Sequence, residues 1–174
     1  MWIDRIVELV PGKKLVAVKL VSMAEEHLHA HFPARTWEGG HRSATPLMPM
    51  SLIIEGMAQT AGVLVGHAEG FREKVILAKV SKAEVTRDAR PGDTLRYTAE
   101  VLQMDRAGAS TKGTVELISP TSSGSSGEPV VIGGIDLMFS HIDNNMGGQE
   151  FPSWNFVFSD SFKTLLRTSG VAQV

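Results

Sequence analysis

The 174-residue chain is 43% hydrophobic and 21% charged, with a formal net charge of −2, which is the balance of one globular domain with a sizeable core. Nothing in that charge points to nucleic acid or a membrane surface as a partner. The absence of cysteine removes disulfides and thiolate chemistry and fits a reducing, cytoplasmic setting.

The chain opens Met1-Trp2-Ile3-Asp4-Arg5, which meets an acid at once and lacks a signal peptide's basic-then-apolar order. Residues 2–10 and 13–22 are rich in Val, Ile and Leu and flank Pro11-Gly12, so they predict a hairpin. Residues 27–45 show no clear period and hold Pro33, Gly39 and Gly40; they predict mostly loop. A helix is expected from about Pro49 to about Ala68, with proline at its first turn, where a missing N–H costs nothing. Between Pro46 and Val65 only Glu55 is charged, and that length would reach across a bilayer. Gln59 lies one turn from Glu55, however, and a polar face argues for the buried centre of a soluble domain over a membrane span.

Four strand-like runs follow, at 75–86, 93–104, 109–119 and 129–140. In the second, Leu95, Tyr97, Ala99 and Val101 alternate with Arg96, Thr98 and Glu100, the pattern of a half-buried strand. Pro91-Gly92-Asp93 turns the chain before it, and Ala107-Gly108 after it. The Ser/Gly-rich stretch 119–129 predicts a long hairpin loop. The order β-β-loop-α-β-β-β-β implies an α+β fold, an antiparallel sheet with one helix on its face. That helix has more apolar circumference than one sheet covers, which leaves room for a second subunit. Residues 1–143 form the expected body. The tail, 144–174, carries Phe151, Trp154, Phe156, Phe158 and Phe162, too aromatic for disorder, and is expected to pack on the body or a partner.

Two pieces have chemical potential. His31-Phe32-Pro33 lies upstream of the helix, and Pro49 to Gln59 begins it. Glu55, Gln59, Gly62 and Gly66 are spaced by 4, 3 and 4, so they share one helical face, polar at the top and smooth below. From spacing alone the same residues also fit packing glycines, an acid answering the helix dipole, and a structural histidine.

These segments resemble the β-hydroxyacyl-acyl carrier protein dehydratase family. His31-Phe32-Pro33 matches its His-Phe-Pro piece, and Leu52-Ile53-Ile54-Glu55-Gly56-Met57-Ala58-Gln59 resembles its Leu-Ile-Glu-Ala-Met-Ala-Gln helix. Arg90-Pro91-Gly92-Asp93 and Ile3-Asp4-Arg5-Ile6 resemble its turn and its first strand, so the likeness runs over about 2–142. It implies the hotdog fold, a long central helix wrapped by an antiparallel β-sheet. It also implies dehydration of (3R)-hydroxyacyl thioesters to trans-2-enoyl thioesters in fatty acid biosynthesis, with no cofactor and no metal. His31 would be the base and Glu55 the group assisting the leaving hydroxyl. Gln59 would orient Glu55, while Pro49 would open the helix at the substrate-binding end and Met50 and Ser51 would offer backbone N–H groups to the thioester oxygen. The family joins His and acid from opposite subunits, which implies an obligate homodimer or a dimer-based oligomer.

The departures are specific. His31 lies 24 residues before Glu55, about ten more than in the family, which places an insertion at about 34–47. Met50 stands where the family has Gly. The substrate carrier is acyl carrier protein or coenzyme A, with Arg35, Arg42, Lys79, Lys82, Arg87 and Arg90 as candidate docking cations. Two other readings stay open: a hotdog acyl thioesterase, and a non-catalytic acyl-binding hotdog whose insertion plugs the site. His27, His29 and His31 would share one face of a strand, but no Asp or Cys joins them at a familiar zinc spacing. The insertion itself, with Trp37 and paired glycines, reads as a lid or as a surface excursion.

Overall fold

A computed structural model describes residues 1–142 and 150–171. Strands β1 (Arg5–Val10) and β2 (Lys14–Leu20) pair antiparallel across Pro11-Gly12. A short helix α1 (Glu26–Ala30) and a small hairpin, β3 (Arg35–Trp37) with β4 (Gly40–Arg42), precede the long helix α2 (Met50–Ala68). Then come β5 (Val75–Val85), β6 (Thr94–Met104), β7 (Gly108–Ile118), β8 (Val130–His141) and helix α3 (Asp160–Thr168). The main sheet has the order β1-β2-β6-β7-β8-β5, antiparallel throughout.

This is the hotdog arrangement. The chain leaves β2 near one edge, runs through α2 across the sheet face, and returns as β5 at the opposite edge. The alternation read in β6 is real: Leu95, Tyr97 and Ala99 are buried under the helix. Two glycines let the layers approach. A Cβ on Gly56 would lie 2.6 Å from the Tyr97 ring, and one on Gly113 would lie 2.6 Å from the Met57 sulfur. Met57, Ala61, Val63, Leu64 and Val65 fill the space between helix and sheet. No described helix is long and apolar enough to cross a membrane.

The segment 27–45 is not mostly loop. It holds the end of α1 and the β3–β4 hairpin, which turns at Gly39 with φ 86°. Elements of three to five residues are shorter than the window in which a period becomes visible. The loop 119–129 does close a hairpin, pinned by a Pro120–Ser126 bridge and by Thr121 hydroxyl contacts to Ser123 and Ser125.

The expected boundary at 143–144 falls outside the described residues. Further on, Asn155 donates to the carbonyls of Phe71 (2.9 Å) and Glu73 (3.0 Å). Phe158 is buried beside Phe71, while Trp154 remains exposed. Helix α3 lies along β1, where the Ile6 N–H donates to Ser169 Oγ at 3.0 Å and Leu165 and Leu166 are buried.

One edge of the sheet is open. Most of β5 is exposed, including Ile76, Leu77 and Val80, and among the described residues no strand pairs with its outer side. A long unpaired edge of this kind, with Ile76, Leu77 and Val80 exposed beside Lys79, Lys82 and Glu84, is a template for another strand.

Candidate active site

His31 ends α1, half-buried, with its ring stacked on Phe32 at 4.3 Å. Its Nδ1 lies 2.8 Å from the carbonyl oxygen of Leu47. A carbonyl can only accept, so Nδ1 is the donor, and in the neutral ring the lone pair is on Nε2. The backbone holds the ring in place. Leu47 N–H donates to His31 O at 3.1 Å, and Phe32 and Thr45 exchange both of their N–H···O bonds, at 3.2 and 2.9 Å. Residues 33–44 therefore loop out from a closed clasp. The insertion adds length without moving His31 away from the start of α2. Its side chains are exposed up to Ala44 and half-buried at Thr45, Pro46 and Leu47, and none lines the groove beside Glu55, so it does not plug that groove in the protomer.

The start of α2 is fixed from the other side by Met48 N–H donating to Ala89 O at 2.8 Å. Ala89 precedes the Pro91-Gly92-Asp93 turn. There Asp93 Oδ2 accepts from Arg90 N–H at 2.8 Å, and Gly92, with φ 98°, donates to Val21 O. The first helical N–H groups to find a carbonyl are those of Leu52 and Ile53, both to Pro49 O. The N–H groups of Met50 and Ser51 lie ahead of them at the positive end of the helix dipole. The Met50 side chain is 43% exposed, turned out from the core.

Glu55 sits on the exposed face of α2, one turn above Gln59. Gln59 Nε2 donates to Glu55 Oε1 at 2.9 Å, and Gln59 Oε1 accepts from the Trp2 N–H at 2.8 Å. The backbone donor fixes which end of the amide is oxygen, so the NH2 must face Glu55 and Oε2 is left for another partner. Trp2 is itself positioned, because Asp4 accepts from Leu20 N–H at 2.7 Å and pairs with the buried Lys19, which also pairs with Glu25 at the head of α1. One buried cation thus ties together the segment behind Gln59 and the helix that ends in His31. Behind α2, burial above all, with the Asp4 charge adding to it, pushes the Tyr97 phenol above its ordinary range and keeps it neutral.

Glu55, Gln59 and Gly62 line a groove of about 290 Å³ whose other walls are β5 and the aromatic residues Phe139, Phe158 and Phe162. The site residues thus form two groups. Glu55 joins Gln59, and His31 joins the helix start. Within one protomer His31 and Glu55 hydrogen-bond to different groups and share none. The backbone partners, Leu47 O, Ala89 O and Trp2 N–H, carry no side-chain signal that a sequence reading would detect.

The three histidines do not gather. His27 meets Trp2 edge-on at 5.1 Å, His29 Nε2 donates to Met23 O at 2.8 Å, and His31 turns to Leu47. The helical turn of α1 sends alternate residues apart, whereas a strand would have aligned them. Among the described residues no group of three His, Asp or Glu is arranged to hold a metal.

The model of the FabA-like domain family matches residues 1–118. The 3-hydroxyacyl-[acyl-carrier-protein] dehydratase FabZ of Clostridium kluyveri is 35% identical over 115 residues, which is 66% of this chain and 73% of that one. The same-named protein of Campylobacter concisus is 40% identical over 110 residues, 59% of this chain and 68% of that one. Among solved structures, the dehydratase heterocomplex ApeI:P from Xenorhabdus doucetiae superposes with a TM-score of 0.54 at 18% identity, covering 81% of this chain and 82% of that one. An acyl-CoA hydrolase mutant from Staphylococcus aureus superposes at 0.52 with 13% identity, covering 91% and 83%. At such identities these superpositions establish the fold alone.

Proposed function

Because the chain belongs to the FabA-like domain family, we propose that it is a hydro-lyase dehydrating (3R)-3-hydroxyacyl thioesters, carried on acyl carrier protein, to trans-2-enoyl thioesters in fatty acid biosynthesis in the cytoplasm. The observation that carries this reading is the tautomer of His31, whose Nδ1–H is committed to Leu47 O and whose Nε2 is left basic. Imidazole suits a weakly acidic C2 proton near neutral pH.

In the reaction, His31 Nε2 takes the C2 proton and the C2–H electron pair becomes the C2=C3 double bond. The C3–O bond breaks as Glu55 gives the departing hydroxyl a proton, so that water leaves. The proton held on His31 then passes to Glu55 and resets the pair. Gln59 occupies Oε1 and leaves Oε2 to face the hydroxyl. The N–H groups of Met50 and Ser51, behind Pro49, receive the negative charge that builds on the thioester oxygen. No electrons are gained or lost overall, so the elimination requires no redox cofactor.

His31 of one protomer works with Glu55 of its partner in a homodimer. The separate hydrogen bonding of the two residues and the open edge at β5 support this arrangement. The test is complementation. His31→Ala and Glu55→Gln should each lose about a hundredfold or more in kcat. Mixing the two unfolded variants and refolding them together should restore about a quarter of wild-type activity, because half the dimers are mixed and each holds one intact site. No recovery on mixing overturns the shared site. Release of free thiol in place of enoyl product by the wild type overturns the dehydratase reading in favour of a thioesterase.

A further inference from the structure

The groove that starts at Glu55 is lined by Phe139, Phe158 and Phe162, which lie beyond the stretch matched by the family model. Glu55, Gln59, Gly62 and Gly66 descend one face of α2. At Gly62 the helix is bare: an added Cβ would first meet Phe139, at an ordinary 3.6 Å. At Gly66 the space is taken, because an added Cβ would run into the Phe158 ring.

Phe158 is firmly held. It is 6% exposed and packs edge-on against Phe71 (4.9 Å) and Phe162 (5.8 Å), and Asn155 ties the same segment to the carbonyls of Phe71 and Glu73. The groove is thus polar at one end, where Gln59 and Glu55 meet, apolar along Gly62 and β5, and stopped by an aromatic wall.

We infer that Phe158, backed by Phe162, sets the upper limit on acyl-chain length. This rests on the dehydratase reading above, in which C3 of the substrate lies at Glu55. The helix rises about 1.5 Å per residue, and the α2 residues lining the groove end at Gly62 and Val63, before the Phe158 ring at Gly66, so the groove extends roughly 10 Å beyond Glu55. An extended chain advances about 1.2 Å per bond, a third of the span of a three-bond peptide unit, so about eight bonds fit beyond C3. The limit falls at about ten to twelve carbons by that measure.

The test compares (3R)-3-hydroxyhexanoyl, -decanoyl and -tetradecanoyl pantetheine thioesters on the full chain. Wild type should favour the two shorter substrates. Phe158→Ala should raise the tetradecanoyl-to-hexanoyl ratio of kcat/KM by about tenfold or more, and Gly62→Leu should lower the decanoyl-to-hexanoyl ratio by a similar factor. Phe158→Leu, which keeps most of the buried volume, serves if the alanine variant does not fold, with a shift in the same direction. Ratios within twofold of wild type in folded, active variants overturn the inference. So does a change in dimer dissociation with unchanged ratios, which would mean that the partner protomer's side chains fill the groove. If wild type dehydrates none of the three, the dehydratase reading fails by itself. Calorimetry with amide-linked hexanoyl and tetradecanoyl pantetheine then decides the groove. Gain of tetradecanoyl binding in Phe158→Ala supports the stop, and binding indifferent to length overturns it.

Discussion

Replacing Gly56 by alanine tests how closely α2 must sit on the sheet for the site to form. The added Cβ would lie 2.6 Å from both Cζ and Oη of Tyr97 and 2.9 Å from the Trp2 carbonyl. Carbon atoms pack at about 3.5–4.0 Å, so ring or helix must retreat by about 1 Å. Tyr97 is fully buried and has nowhere to swing. Overpacking of this kind costs about 1–3 kcal/mol, and the gain in helix propensity returns up to about 1 kcal/mol. A net loss of about 1–2 kcal/mol should lower Tm by about 2–8 °C in a chain of this size. Activity should fall as well, because displacing Trp2 loosens the N–H that holds Gln59 against Glu55. Circular dichroism melts and kcat on the same samples measure both effects. Adding Tyr97→Leu makes room for the methyl, so the double variant should lose less than the sum of the single losses. A Gly56→Ala protein that melts at or above wild type would refute the close-approach argument.

Two further expectations follow from single features. The Tyr97 hydroxyl is buried and finds no hydrogen-bond partner among the described residues, and burial raises its pKa above the ordinary 10.0. The folded chain keeps that proton where the unfolded chain loses it, so this contribution is intact below about pH 10 and is lost as pH rises further. Tyr97→Phe should be more stable by about 1 kcal/mol near neutrality, with the advantage growing as pH rises through about 10 and beyond in urea titrations; a constant difference contradicts the account. Deleting Arg35 to Ala44 leaves Phe32 and Thr45 paired across Pro33-Ala34, a two-residue hairpin loop once these become Asn and Gly. With no buried side chain removed, Tm should shift by no more than about 2–4 °C and dehydration should persist; a collapse in kcat alone would assign the hairpin a part in the site.

Much of the architecture is written in local pattern. The alternation of Leu95, Tyr97 and Ala99, the Pro91-Gly92-Asp93 turn and the long apolar run from Met50 specify the strands, their connection and the central helix, because periods of two and of 3.6 persist over many residues there. The shared face of Glu55, Gln59 and Gly62 is equally a matter of helical spacing. Helix α1 and the β3–β4 hairpin are too short to display a period, and they are held by tertiary contacts: the buried Leu28, the Lys19–Glu25 pair and the Phe32–Thr45 clasp. Likewise Leu47 O acts on His31 and Trp2 N–H on Gln59 through backbone groups that every residue type carries, so the sequence holds no mark of them. The aromatic tail announced that it would pack, but not where. That Phe158 lands on Gly66 depends on a contact between residues 92 positions apart, and only the folded chain's packing chooses among the apolar surfaces open to such a ring.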